Sequence, residues 1–320
     1  MTDFWTELPE ISVRLEGVRD RMKAVIRADR FPLSDAVEQL IDANGKMLRP
    51  AFMFMAASFG RRPKDISNLA AAIELLHIAT LVHDDVIDDA DTRRGVPTLH
   101  AVHGVKEAVL SGDWLFSRCF RLAAESSSPG NATLLAALVG AICSEEIHQD
   151  IERFTWPRST RNYLRKISGK TAAMFSLALR AGAIETKASA SVTATLTRVG
   201  YDVGIAFQIM DDLLDYESNC CTMRKPVAKD IREGLCTLPL ILALRSDEAG
   251  IAPLLGTTRP DDVTVEKIVA RVRDSGALES ARSIAAHYTE RAQRELSRLP
   301  KGQAREDLRL TVNRLLSRDC

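Results

Sequence analysis

The sequence predicts an all-α protein, one large helical bundle forming a single domain over residues 1–320. Nearly every long segment repeats its apolar residues at helical spacing, and no stretch alternates as a convincing strand. Turn-forming residues punctuate the periodic segments, as in Gly60-Arg-Arg-Pro63, Ser126-Ser-Ser-Pro-Gly130 and Leu299-Pro-Lys-Gly302. No linker, low-complexity tract or short repeat divides the chain.

In chain order, helices are expected over Phe4–Arg27, Ser34–Ile41, Arg49–Phe59 and Asp65–Asp88. The fourth contains Ala70 to Val82, apolar on most faces, which suits the inside of a bundle. Ala108–Ala124 and Asn131–Arg153 follow on either side of the Ser/Pro/Gly break, then Thr160–Ala183. Ser189–Asp215 is a second long helix of interior character, apolar from Thr193 to Leu214. Leu238–Leu244, Val263–Ser275, Ala277–Arg298 and Gln303–Ser317 complete the series.

Composition excludes several functions. The 320 residues are 46% hydrophobic and 27% charged, with 43 basic and 43 acidic side chains. Zero net charge gives no general reason to expect nucleic acid or an anionic membrane as partner. The six cysteines (119, 143, 220, 221, 236 and 320) contain no CxxC pair and read as thiols of a reducing cytoplasm. The acidic start, MTDFWTELPEISVRLEGV, has no signal or transit character. No run approaches the roughly 20 apolar residues of a transmembrane segment. The expected location is cytoplasmic.

Function must then come from local clusters. HDDVIDDADTRRG (83–95) puts Asp84, Asp85, Asp88, Asp89 and Asp91 at the end of an apolar helix, and Arg93 and Arg94 directly after. GIAFQIMDDLLDY (204–216) repeats the arrangement with Asp211, Asp212 and Asp215. Asp84 with Asp88, and Asp211 with Asp215, stand one helical turn apart, where like charges cost a few tenths of a kcal/mol. A lone acidic helix end is commonly just solvated. Two of them, each closing an apolar helix, point to a bound cation. Oxygen ligands in this number suit Mg²⁺, which binds through one or two carboxylates and completes its shell with water and phosphate. Positive charge lies near by in sequence: Lys46 and Arg49 in GKMLRP (45–50), Arg93, Arg94, Lys170 in SGKT (168–171), and Lys225. Such side chains bind diphosphate oxygens.

From about Gly45 onward the chain resembles the trans-polyprenyl diphosphate synthase family, the polyprenyl synthetases. GKMLRP, ELLHIATLVHDDVIDDADTRRG (74–95), VLSGDWLF (109–116), EEIHQ (145–149), YLRKISGKTAAMF (163–175), GIAFQIMDDLLDY, KPVAKDIREG (225–234) and TLP (237–239) occur in family order. The resemblance implies the isoprenoid synthase fold, a helical bundle around a deep central cavity, usually dimeric. It implies Mg²⁺-dependent, head-to-tail joining of isopentenyl diphosphate to an allylic diphosphate, with three ions expected. Asp84, Asp88 and Asp211 are then direct metal ligands, assisted by Asp85, Asp212 and Asp215 directly or through water. Arg93, Lys170 and Lys225 bind the allylic diphosphate; Lys46, Arg49, His77 and Arg94 bind isopentenyl diphosphate. Thr171 and Gln208 face the carbocation, and Phe207 packs on the isopentenyl unit. His77, alone on an apolar helix, would otherwise read as a core histidine, but it lies seven residues before Asp84 on the same face. His100 and His103, without partners at zinc spacing, are expected in a loop.

The chain departs from the family pattern at four positions. Met47 stands where a basic residue is common, Leu235 where a lysine usually follows Gly234, and Arg224 and Ala228 where glycines flank Lys225. Both acidic motifs are complete, which argues against a silent regulatory subunit. Thr80 and Ala79, one turn before Asp84, are small and leave room for a growing chain in the hexaprenyl to decaprenyl range, as in bacterial enzymes supplying quinone side chains. Trp114 either blocks that path or is a core aromatic. Two other readings stay open: a short-chain synthase making geranylgeranyl or farnesyl diphosphate, and one subunit of a heteromeric synthase. A homodimer is the expected assembly.

Overall fold

In the computed structural model, the residues described are 3–28, 31–43, 45–93, 95–156, 159–217, 228–246 and 248–316. They fall into two compact units that alternate along the chain. The first takes its residues from 1–137, 177–196 and 302–307, the second from 138–176, 197–301 and 308–320.

The first unit begins with a 3-10 turn, Asp3–Trp5, then α1 (Pro9–Ala28), α2 (Ser34–Ala43), α3 (Leu48–Ala57) and α4 (Ser67–Ile87). The expected first helix starts late because Pro9 lacks an N–H and occupies the helix's opening turn. A two-residue hairpin follows, β1 (Thr92–Arg93) paired antiparallel with β2 (Val96–Pro97), then α5 (Leu99–His103) and α6 (Val105–Ser126). The unit also holds the start of α7 (Pro129–Ile151). That start is fixed by a buried carboxylate: Glu185 accepts from Ser128 N and Asn131 Nδ2, both at 2.7 Å, and pairs with Lys64. α4 runs through the core, and from Leu69 to Thr80 every residue but His77 is buried. His100 and His103 belong to α5 rather than to a loop. Thr98 caps that helix by accepting from Ala101 N, and its hydroxyl also contacts His100 Nδ1 at 3.1 Å.

The second unit holds most of α7, then α8 (Thr160–Ile167), capped by Ser159. A π-helical turn, Ser168–Ala172, joins α8 to α9 (Ala173–Glu185), so the expected helix over 160–183 is present but bulged in the middle. α10 (Ala190–Glu217) enters this unit at Thr197; α11 (Lys229–Arg232), α12 (Leu238–Ser246) and α13 (Glu248–Ile251) come next. α14 (Asp262–Asp274), α15 (Ala277–Ser297) and α16 (Gln303–Leu316) end the chain. Ile205, Ile209 and Leu213 of α10 pack with Leu240, Leu244 and Ile268 in the unit's core. Gly204 allows α10 to approach the π turn, since a Cβ there would sit 2.4 Å from Ala172 Cα. Among the described residues the all-α class holds, with the small hairpin as its exception. No described helix is long and apolar enough to cross a membrane.

Candidate active site

α4 carries the first acid cluster at its C-terminal end. His77, Leu81, Asp84 and Asp88 are its partly accessible positions on one side, spaced 4, 3 and 4 residues apart, which is one helical stripe. Thr80 lies on the edge of that stripe, buried, with its hydroxyl donating to His77 O at 2.8 Å. Ala79 lies some 200° round the helix from His77 at 100° per residue and has no exposed surface. The two small residues linked with chain length thus occupy different faces.

Asp85 is set apart from its neighbours. It is buried and accepts a 2.6 Å hydrogen bond from Arg93 Nε. The chain reverses at Asp89 (φ 50°), which is left-handed, so that Arg93 returns to α4, and the left-handed Gly95 (φ 79°) then turns β1 into β2. Asp89 and Asp91 remain on the exposed side, as expected for solvated charges. His83 points the other way, toward α6, with Nε2 at 3.1 Å from Val109 O and 3.5 Å from Asp113 Oδ1. Gly112 makes space for it, because a Cβ there would stand 2.2 Å from His83 Nε2. Arg94 lies outside the described residues.

In the same unit, Lys46 and Arg49 bracket the start of α3, both partly accessible. The ammonium of Lys46 sits 4.5 Å from the Phe4 ring centre, and Trp5 Nε1 donates to Lys46 O at 2.7 Å. Met47 is buried in the left-handed conformation, and its sulfur faces Arg19 Nη2 at 3.8 Å. Trp114 stacks on Phe31 at 4.2 Å between centroids, with the Arg118 guanidinium 5.0 Å from its ring centre.

The second unit carries the other cluster. Thr171 donates to Gln208 Oε1 at 2.8 Å, Gln208 Nε2 donates to Asp212 Oδ1 at 2.9 Å, and Tyr163 OH donates to Asp212 Oδ2 at 2.6 Å. Burial, aided by the charges of Asp211 and Asp215, pushes the Asp212 carboxyl up to about 7, against the two bonds it accepts. Asp211, beside it, is exposed. Asp215 accepts from the backbone N–H groups of Lys229 and Asp230 at 3.2 Å each, so α11 docks by its N-terminus on that carboxylate. Burial still raises Asp215, and burial with the nearby Asp215 and Asp212 charges raises Asp230 well above the ordinary range. Ala228 holds the left-handed conformation (φ 60°) that a glycine would adopt freely. Lys170, presented by the π turn, pairs with Glu146 of α7. Phe207 packs on Phe175, with centroids 5.6 Å apart. Lys225 and Arg224 lie outside the described residues.

Four contributors were not singled out by sequence reasoning: Tyr163, Asp230, Glu146 and the Phe4–Trp5 turn. The first three lie inside motifs already quoted, and only folding reveals that they touch the acids and Lys170. Among the described residues no three acids or imidazoles converge as a complete protein-only metal shell. Carboxylate oxygens are hard donors, the type that suits a hard cation whose shell is finished by water and phosphate.

The polyprenyl synthetase family model matches residues 31–272. The chain belongs to the polyprenyl synthetase family. As a polyprenyl synthetase it is a prenyltransferase that makes prenyl diphosphates. It is 34% identical to heptaprenyl diphosphate synthase component 2 of Geobacillus stearothermophilus over 301 residues, 93% of this chain and 94% of that one. Among solved structures it is similar to geranylgeranyl pyrophosphate synthase from Lactobacillus brevis, with a TM-score of 0.93, 31% identity and 99% of each chain covered. A polyprenyl synthase from Caulobacter crescentus, complexed with calcium and isoprenyl diphosphate, matches with a TM-score of 0.90 and 32% identity over 99% of this chain and 97% of that one. These whole-length matches give this polyprenyl synthetase the isoprenoid synthase fold.

Proposed function

We propose that this polyprenyl synthetase joins isopentenyl diphosphate head to tail to an allylic diphosphate with Mg²⁺, three ions per site, and extends the chain to a medium or long product in the hexaprenyl to decaprenyl range. Supply of quinone side chains is the corresponding role. The observation that carries the chemistry is the acid pattern itself: one-turn aspartate pairs ending two long apolar helices, each with a basic side chain ion-paired close by.

Asp84, Asp88 and Asp211 hold the metal, and Asp85, Asp212 and Asp215 assist. Bound Mg²⁺ supplies electrostatic stabilisation of the charge that develops on the departing diphosphate. Arg93, Lys170 and Lys225 bind that diphosphate, the first two by exchanging Asp85 and Glu146 for phosphate oxygens. Lys46, Arg49, His77 and Arg94 bind isopentenyl diphosphate, and Phe207 packs on its hydrocarbon. The Thr171–Gln208 pair presents oxygen dipoles to the allylic cation. Asp230, close to Asp215, adds a further carboxyl to the second cluster, one that burial and the neighbouring acids hold toward its neutral form.

The chain-length reading is supported by Thr80 beside the open stripe and by the heptaprenyl relative. The relative's description as component 2 keeps a heteromeric synthase as the second reading. A homodimer is our first reading of the assembly. It is supported by apolar side chains left exposed on each unit, Val105, Leu110 and Phe120 on the first and Ile147 and Ile151 on the second. The test is product analysis with purified protein, Mg²⁺, isopentenyl diphosphate and farnesyl diphosphate. Products of hexaprenyl length or more are expected. Products ending at geranylgeranyl would refute the length, and turnover only with an added partner protein would establish the heteromer.

A further inference from the structure

Lys166 stands on α8 one turn after Tyr163, whose hydroxyl binds Asp212, and four residues before Lys170. It lines a narrow cleft together with Gln149, Glu152, Tyr163, Gly234 and Leu235. Burial lowers the proton affinity of its amine, while the charges of Glu146, Glu152, Asp212 and Asp230 all act to keep it protonated. Neighbouring cations of this unit are matched with carboxylates: Lys170 with Glu146, Lys229 with Glu233, Arg153 with Asp150. Among the described residues no hydrogen bond or ion pair takes up the Lys166 ammonium. Its nitrogen is not sealed from solvent, so the three donors of the ammonium are open to a ligand. Beside the second acid cluster yet bonded to none of its acids, it suits a ligand that brings oxygen atoms of its own. Leu235, across the same cleft, offers none and carries no charge.

We propose that Lys166 is a diphosphate-binding residue of this enzyme: its ammonium donates to an oxygen of the diphosphate held at the second acid cluster, supplying the cation that Leu235 on the same cleft lacks. The inference rests on the diphosphate reading above and adds a residue to it. The rival role is that of a counter-ion to the acids, and the two roles differ in sign. Removing a counter-ion tightens Mg²⁺ and leaves pyrophosphate binding at saturating Mg²⁺ unchanged. Removing a diphosphate contact weakens pyrophosphate.

The experiment is calorimetric titration of inorganic pyrophosphate into the full chain at saturating Mg²⁺. Lys166→Met is expected to weaken binding about tenfold or more, the loss of one charge-assisted hydrogen bond. Lys166→Arg should stay within about threefold of wild type, since it keeps the charge though not the shape. Adding Leu235→Lys to Lys166→Met should restore most of the affinity. Unchanged pyrophosphate binding in Lys166→Met, or a double variant as weak as the single one, overturns the inference. Each variant is first qualified by its melting temperature, and Lys166→Gln takes the place of Met if that protein does not fold. If wild type itself shows no Mg²⁺-dependent pyrophosphate binding, the diphosphate reading of the site falls and this inference with it, a failure recognisable because wild type and variant then behave alike.

Discussion

Replacing Tyr163 with Phe deletes one oxygen from the second acid cluster and keeps the ring in its buried place. That oxygen donates to Asp212 at 2.6 Å, and Gln208 supplies the other donor at 2.9 Å. These two bonds stabilise the ionised carboxylate against burial, and with them in place it still stands raised to about 7. A hydrogen bond to a charged group contributes about 1.5–3 kcal/mol, so its loss moves the carboxyl upward by about one to two pH units at 1.36 kcal/mol per unit. At pH 7 wild-type Asp212 is about half ionised, and the variant's is mostly protonated. Metal binding must then expel a proton, so half-saturating Mg²⁺ at pH 7 rises roughly five- to fiftyfold. The rising limb of the pH–rate profile moves to higher pH by the same one to two units, and the two proteins converge near pH 9. Turnover of isopentenyl and farnesyl diphosphates measured against Mg²⁺ between pH 6.5 and 9 reads both effects. Coincident Mg²⁺ curves at pH 7 would refute the assignment of Asp212 to the metal cluster and the role given to the Tyr163 hydroxyl.

Further perturbations test other parts of the site. Gly112→Ala drives a Cβ to 2.2 Å from His83 Nε2. It should cost about 1–3 kcal/mol by overpacking and weaken Mg²⁺ at the adjacent Asp84, and a melting temperature equal to wild type would show that His83 moves aside freely. Asp84→Ala should abolish turnover with little change in thermal stability, because it removes a repulsion worth a few tenths of a kcal/mol; normal turnover would end its assignment as a ligand. Thr80→Phe should shorten the product, and an unchanged chain length would detach this position from the growing tail. In metal-free protein, Asp212 is raised in the folded state relative to the unfolded chain. Its contribution to stability, on the order of 4 kcal/mol, is therefore full below about pH 4 and lost as pH rises through about 7. Thermal melts between pH 5 and 8 check this, and a melting temperature that rises over that range would contradict it.

The helices were legible because periodicity and punctuation are local properties. All twelve expected segments are helical, with ends displaced by a few residues except at Pro9 and at the π turn. The π turn carries only one weak local signal, the Ser168-Gly169 dipeptide, and the bulge itself shows only in the backbone. The hairpin and α5 were missed because 92–103 is too short for periodicity to register, which also misplaced His100. Within the site, helix geometry alone puts Asp85 about 100° from Asp84 and about 60° from Asp88, at the edge of the stripe. What sequence could not supply is the partner, since Arg93 reaches Asp85 only after the chain reverses at the left-handed Asp89. Tyr163 on Asp212 joins residues 49 positions apart, and a motif quoted whole does not reveal which of its members meet across such a gap.

The two clusters solve the same electrostatic problem in related ways. A helix that ends in several aspartates inside a packed unit cannot leave them all desolvated. In the first, Asp85 is the buried acid and receives a guanidinium; in the second, Asp212 is the buried acid and receives a phenol and an amide. Asp215 is met by backbone N–H groups. Asp84, Asp88 and Asp211, which the family resemblance assigns to direct metal contact, retain accessible surface, as do Asp215, Asp89 and Asp91. Burial thus sets Asp85 and Asp212 apart, each committed to protein side-chain donors, while Asp215 is met by backbone N–H groups and still reaches solvent. The committed acids are not spare. Asp85 orients Arg93, and Asp212, with its carboxyl near 7, changes charge over the pH range in which the enzyme would work. A substitution at Asp85 therefore acts first on the arginine, and one at Asp212 first on how metal affinity depends on pH.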